Sequence, residues 1–156
     1  MKKNMLICFL LFATIVKAQD PTPKDMVEKY WTGLSEQPAN FTKRGKEQLK
    51  QAIKLTLKED NSVYGTATTT MVLDGVSYSS SNNISGTFYR STWSVYIREG
   101  ASIRADALPN DLRWCKGTGT LTFYRNKNHP GYYLFKGELT DDCSGKSLVE
   151  FSDYPY

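Results

Sequence analysis

Asp74-Gly75, set between Leu73 and Val76, constrains this chain more tightly than any other pair of residues. A two-residue hairpin of type I′ needs positive φ at both central positions, and Asp-Gly supplies that at little steric cost. Closing the turn sets Leu73 opposite Val76 and Met71 opposite Tyr78, apolar against apolar. Upstream, Glu59-Asp60-Asn61 separates Ile53, Leu55 and Leu57 from Val63, Gly65 and Ala67, and a three-residue loop there opposes Leu57 to Val63 and Leu55 to Gly65. That hairpin makes Ala52 to Lys58 a strand. For residues 46–52 helix and strand both stand, because Leu49, Ala52, Ile53 and Leu57 also fit a helical face.

Downstream, after a polar Ser79–Asn83 stretch, a turn at Arg90-Ser91 opposes Phe88 to Trp93, Gly86 to Val95 and Ile84 to Ile97. Ala101 to Asp111 is a longer connection. Trp114–Arg125 and Tyr132–Thr140 are then joined by Lys127–Gly131, a loop that faces Phe123 with Phe135, Gly119 with Leu139 and Cys115 with Cys143. A last strand runs from Leu148 to Phe151. In each hairpin a one-residue slip would turn the apolar set to the other face, so register is well specified. The cysteine pair emerges from a register set by loop length and apolar matching, and cross-strand neighbours are within disulfide reach.

The expected fold is therefore all-β, a small antiparallel meander of seven to eight strands. Closure into a barrel removes the exposed edges of so long a meander; a two-sheet sandwich is the alternative. Gly65, Gly86, Gly117, Gly119 and Gly137 fall inside strands, where glycine eases curvature or close backbone approach.

The first 18 residues read as a secretory signal peptide, with Lys2 and Lys3 before the apolar run Met5–Val16 and a cleavage site after Ala18. The run falls short of the roughly 20 apolar residues a membrane-spanning helix needs. Cleavage removes Cys8, and Lys2, Lys3 and Lys17 without any acid. The balance of 20 basic and 16 acidic side chains then becomes 17 against 16, a net charge of +1. So even a balance lacks the basic footprint of a nucleic-acid binder. Residues 19–45 read as a lead-in, extended at Asp20-Pro21-Thr22-Pro23, with Lys29–Leu34 as a first strand or one helical turn; residues 46–156 form the barrel-like domain. Cys115 and Cys143, the two cysteines left in an exported chain, read as a disulfide.

In strand number and order the chain resembles the calycin superfamily, the lipocalins and avidins, over most of its mature length. Lipocalins carry Gly-x-Trp on the first strand, and this chain has the reverse order, Trp31-Thr32-Gly33. The resemblance implies an eight-stranded barrel holding either packed side chains or one small ligand. No family site residue maps onto a position here.

Catalytic chemistry finds little to work with. His129 is the chain's single histidine and lies before Pro130 in a hairpin loop, so a Ser-His-Asp or Cys-His relay has no well-placed imidazole. A metal site built on two cysteines lacks further ligands, and no cofactor motif is present. Asp141-Asp142 and Glu59-Asp60 are turn acids, while Glu138 and Glu150 are the acids that a barrel mouth could bring together. Aromatic content is the suggestive feature. Met71, Tyr78, Phe88, Trp93, Phe123, Tyr133 and Phe135 share the inferred inner face, as a filled core or as the lining of a pocket for a small, partly apolar ligand. Tyr64, Tyr89, Tyr96, Trp114, Tyr124 and Tyr132 fall on the outer face, as an ordinary exposed strand surface or as a contact patch for a protein or a glycan. Asn40-Phe41-Thr42 and Asn83-Ile84-Ser85 match the N-glycosylation pattern. Two functions follow as expectations: an exported barrel that binds a ligand inside, or an interaction module with a filled core.

Overall fold

The computed structural model describes residues 20–36, 48–109, 112–143 and 145–154. The expected leader and the Asn40 glycosylation sequence lie outside them. One short helix, α1 (Pro23–Val27), precedes eight strands: β1 (Tyr30–Glu36), β2 (Gln48–Leu57), β3 (Ser62–Leu73), β4 (Val76–Tyr89), β5 (Ser94–Ala105), β6 (Gly117–Arg125), β7 (Tyr133–Asp141) and β8 (Lys146–Ser152). They form a closed antiparallel barrel in simple sequence order, sealed by β1 against β8 through Thr32–Ser152 and Ser35–Val149. Residues 48–52 belong to β2.

Three registers match the loop-length argument. Leu57 faces Val63 and Leu55 faces Gly65. Met71 faces Tyr78 across Asp74 (φ 51°) and Gly75 (φ 79°). Phe123 faces Phe135 and Gly119 faces Leu139. Beyond the end of that last ladder Cys115 and Cys143 are joined, their Cα atoms 5.6 Å apart. Gly65 and Gly86 sit where a Cβ would come within 1.9 Å of the Lys54 carbonyl oxygen and 2.0 Å of that of Tyr96. The tight barrel wall therefore admits no side chain at either position.

The β4–β5 hairpin differs from expectation by two residues. Phe88 faces Val95, Gly86 faces Ile97 and Ile84 faces Glu99. The turn spans four residues, Arg90–Trp93, and Trp93 closes it at φ 48°, so Trp93 leaves the ladder. A two-residue shift keeps the parity, which is why the other inward residues stay inward. Three further boundaries move. Ser79–Asn83 lies within β4, β5 continues to Ala105, and β6 begins at Gly117 rather than Trp114. At the N-terminal end Pro23 starts a helix instead of extending the lead-in. Thr22 caps it, accepting the Asp25 amide while Asp25 accepts the Thr22 amide, and proline needs no amide hydrogen at the first helical position.

The inward side chains form two clusters. The larger joins Met26 and Val27 of α1 to Trp31, Ile53, Leu55, Val63, Phe88, Val95, Ile97, Leu121, Phe123, Phe135 and Phe151, among others. Trp31 is fully buried, with its ring centroid 5.4 Å from that of Phe123 and 5.3 Å from that of Phe135. Phe123 and Phe135 stack at 4.4 Å. The smaller cluster, Leu49, Met71 and Leu73, is covered by Tyr78, Leu108, Leu112 and Trp114. Among the described residues no helix is long and apolar enough to cross a membrane.

Candidate functional site

The inward aromatic set is split between the two ends of the barrel. Phe88, Phe123 and Phe135 are buried in the larger cluster, and Tyr133 packs half-buried against it. Trp93 is displaced by the longer turn, lies edge-on to Phe88 at 6.1 Å and is 39% exposed. Met71 and Tyr78 belong to the smaller cluster at the other end. Trp93, Phe123 and Tyr133 together border an open pocket of about 300 Å³, with Met26 and Tyr124 beside them, while Met71 lines a separate chamber at the other end. Of the residues expected outside, Tyr64, Tyr89, Tyr96, Tyr124 and Tyr132 are exposed. Trp114 is not. It lies half-buried over the smaller cluster, its indole N–H donating to the Asp106 carbonyl at 2.8 Å.

The residues considered for catalysis do not converge. His129 stacks on Tyr154 at 4.0 Å in the β6–β7 loop. Glu138 and Glu150 point outward and pair with Lys146 at 2.8 Å and Lys136 at 2.6 Å, so neither enters the barrel mouth. The carboxylate of Asp142 lies beside the sulfurs of Cys115 and Cys143, but both sulfurs are spent in the disulfide and offer no metal a thiolate.

The interior does hold polar groups at the disulfide end. The β5–β6 ladder stops at Arg98–Thr118. One step further, the Gly117 backbone hydrogen-bonds the Glu99 side chain. Asn82 also donates to Glu99, at 2.9 Å, and itself accepts from Ser102 at 2.9 Å. Burial pushes the Glu99 carboxyl above its ordinary value, against the pull of its two donors. Around it lies a chamber of about 30 Å³ lined by the ends of β1, β3 and β7, the starts of β2, β6 and β8, and Trp114 and Cys115. Such a space holds a small number of water-sized occupants, whereas organic ligands occupy sites of roughly 300–1,000 Å³. Sequence reading missed Gln51, Glu99 and Ser147 as interior residues because they are polar. Their parity was the available signal, since each continues an inward apolar series: Ile53 to Gln51, Ile97 to Glu99, Val149 to Ser147.

A larger concavity lies on the outer wall. On the outward side of β1, β2 and β3 the registers align a row of short side chains, Thr32, Ala52 and Thr68. Taller rows flank it. Tyr30 and Lys54 stand on one side, Leu34, Lys50 and Glu150 on the other. The result is a trough running across the strands, about 1130 Å³ in volume, with Tyr132, Tyr154 and the Lys29–Asp153 ion pair at its β8 end. Tyr30 is 63% exposed and Leu34 is 52% exposed, so two large side chains meet solvent on its rim. Leu34 also borders a second depression, next to Leu148, which is 79% exposed. Compared with known proteins, the chain matches no family model, no curated protein and no solved structure.

Proposed function

We propose that this protein is an extracytoplasmic binding module that engages an extended segment of a protein partner on its outer wall, in the trough over β1–β3. The observation that supports this most is the contrast between inside and outside. The chamber at one end of the barrel has about 30 Å³ and the pocket beside Trp93, Phe123 and Tyr133 at the other about 300 Å³, while the outer trough has about 1130 Å³ and two large side chains exposed on its rim. Exposed tyrosine beside leucine, ringed by charges of both signs, suits a protein contact. An extracytoplasmic site of action is supported by the leader-like segment 1–18 and by the Cys115–Cys143 bridge.

The test places a photo-crosslinking residue at Tyr30 or Leu34, with Tyr96 as control on β5, half-way round the barrel. In the native host, adducts to one defined partner are expected from positions 30 and 34 and not from position 96. Equal labelling at all three, or none at 30 and 34, would sink the proposal. A native mass spectrum addresses the competing function, a small apolar ligand held inside. A bare polypeptide mass is expected, and a co-purifying compound of several hundred daltons would move the binding site indoors.

A further inference from the structure

The charges around the outer trough are unevenly committed. Its acids are spent within the protein: Glu150 is paired with Lys136 across the β7–β8 ladder at 2.6 Å, and Asp153 is paired with Lys29. The lysines of β2 are not matched in this way. Along that strand and one step past it, Lys50, Lys54 and Lys58 are all exposed, with Ala52 and Thr56 between them. Lys50 faces Leu34 on one side and Thr70 on the other, and Lys54 faces Tyr30 and Thr66, so neither has an acid directly opposite. Lys58 lies over the Tyr64 ring at 4.5 Å. Among the described residues Lys50 and Lys54 form no ion pair, whereas Lys136 and Lys146 on the β7–β8 wall both do.

A single exposed lysine needs no partner. Here two stand on opposite rims of one concavity, and every acid lining it already has a countercharge. The open charge of the trough is therefore positive, and a concave surface of one sign concentrates ligands of the other. Each rim also sets a large side chain beside its lysine, Tyr30 with Lys54 and Leu34 with Lys50, over an uncharged floor of Thr32, Ala52 and Thr68. Four residues of strand separate the two lysines, about 13 Å at ~3.3 Å per residue. An extended chain lying along the floor turns successive side chains to opposite sides. Residues one or three apart then address the two rims, while residues two apart address the same rim. Two cations on separate rims suit two discrete carboxylates. A phosphate polymer calls for a denser basic array, and the chain without its leader-like segment has 17 basic side chains against 16 acidic.

Building on the outer-wall site proposed above, we infer that the segment it holds is acidic. Two carboxylates at odd spacing along the segment meet Lys50 and Lys54, one on each rim, and its apolar side chains rest on Tyr30 and Leu34.

Photo-crosslinking from positions 30 and 34 of the exported protein supplies the readout, with the captured segment identified by mass spectrometry. It is expected to carry two carboxylates one or three residues apart. Lys50→Glu combined with Lys54→Glu should lower the adduct yield about tenfold, and Lys50→Gln with Lys54→Gln several-fold. Arg98→Glu, exposed on β5 away from the trough, should leave the yield unchanged. All these positions are exposed, so the variants should fold as wild type does. Raising salt from about 0.05 to 0.5 M should lower the wild-type yield and barely move that of the double glutamine variant, since screening acts on the lysines that variant lacks. A captured segment that is neutral or basic, or a yield unmoved by the double reversal, would overturn the acidic assignment and leave the outer-wall site standing. Adducts to lipid alone, or no adduct from either position in wild type, would overturn the site and the assignment together.

Discussion

Trp31 carries the packed end of the barrel. Its indole is completely buried between Phe123 and Phe135 and adjoins the residues α1 delivers, yet its ring N–H has no hydrogen-bond partner. An orphaned buried donor costs stability, so the volume of the ring outweighs its polarity here. Two substitutions separate these contributions. Trp31→Ala opens a cavity in a tightly interlocked cluster and should cost about 3–5 kcal/mol. Trp31→Phe gives up part of the ring but also removes the orphaned donor, and should cost far less. Urea unfolding of both variants checks the pair; equal losses would mean that the N–H has a partner after all. Trp31 also shows what residue-level reading can do. The stretch Lys29–Leu34 left a first strand and one helical turn both open, and said nothing of which ring faces inward, because no neighbouring turn set the register of β1. Trp93 failed for a related reason. Its type belongs inside, but its backbone sits at φ 48°, and a bulky residue in the left-handed region is not what composition suggests.

Among the elements, α1 shows how five residues can close one end of a barrel. Met26 and Val27 enter the core, and the box between Thr22 and Asp25 supplies the partners that so short a helix lacks. The bonds from Thr22 hold the Asp25 carboxyl below its ordinary value near 3.8. A depressed carboxylate contributes stability that is full above its unfolded value and is lost as pH falls through its folded one. Cap stability should therefore persist from neutral pH down to about 4 and fade below it. Thr22→Ala should lower the melting temperature by a few degrees at neutral pH, with the difference from wild type shrinking on acidification. Melts at several pH values test this, and a difference that grows in acid would refute the sign. The legibility of the elements follows from their turns. Asp74-Gly75 and the Lys127–Gly131 loop left one register each, and both hairpins are as expected. Arg90–Trp93 offers no glycine and no fixed length, and there the register slipped by two residues. Helix α1 was hidden by its own proline, which forbids helix in an interior and favours it at the first position. The candidate sites were less legible still. The trough exists only when three strands align their short side chains, and the chamber only when polar residues at inward parity meet from several strands.

At the scale of the whole molecule the barrel has two unlike ends. One is filled by aromatic rings and closed by α1; the other contains the polar chamber and is held by a covalent bond. Beyond Arg98 the β5–β6 ladder no longer closes the wall, and the segment 112–116, with Leu112 and Trp114 packed over the smaller cluster, covers this end. It is fastened by the Trp114 indole to Asp106, by Arg113 donating to the Asp142 carbonyl at 2.8 Å and by Lys116 donating to the Asp142 side chain at 2.9 Å. Two of these bonds converge on the turn that bears Cys143, so the disulfide secures the whole arrangement. It bridges a sequence separation of 28, and chain entropy assigns such a loop roughly 3–4 kcal/mol. Replacing both cysteines by alanine should remove about that much stability, and the damage should be uneven. Amide exchange should accelerate first around Lys116, Gly117 and Asp141–Cys143, where few apolar contacts remain, while amides of β1 and β7 beside Trp31 and Phe135 keep their protection until global unfolding. Exchange rising equally at both ends would show instead that the barrel opens as one unit, with the polar end no weaker than the aromatic one. Uneven exchange would mean that the molecule is built as a rigid aromatic half carrying a covalently secured polar half, the half in which a change in redox state would be felt first.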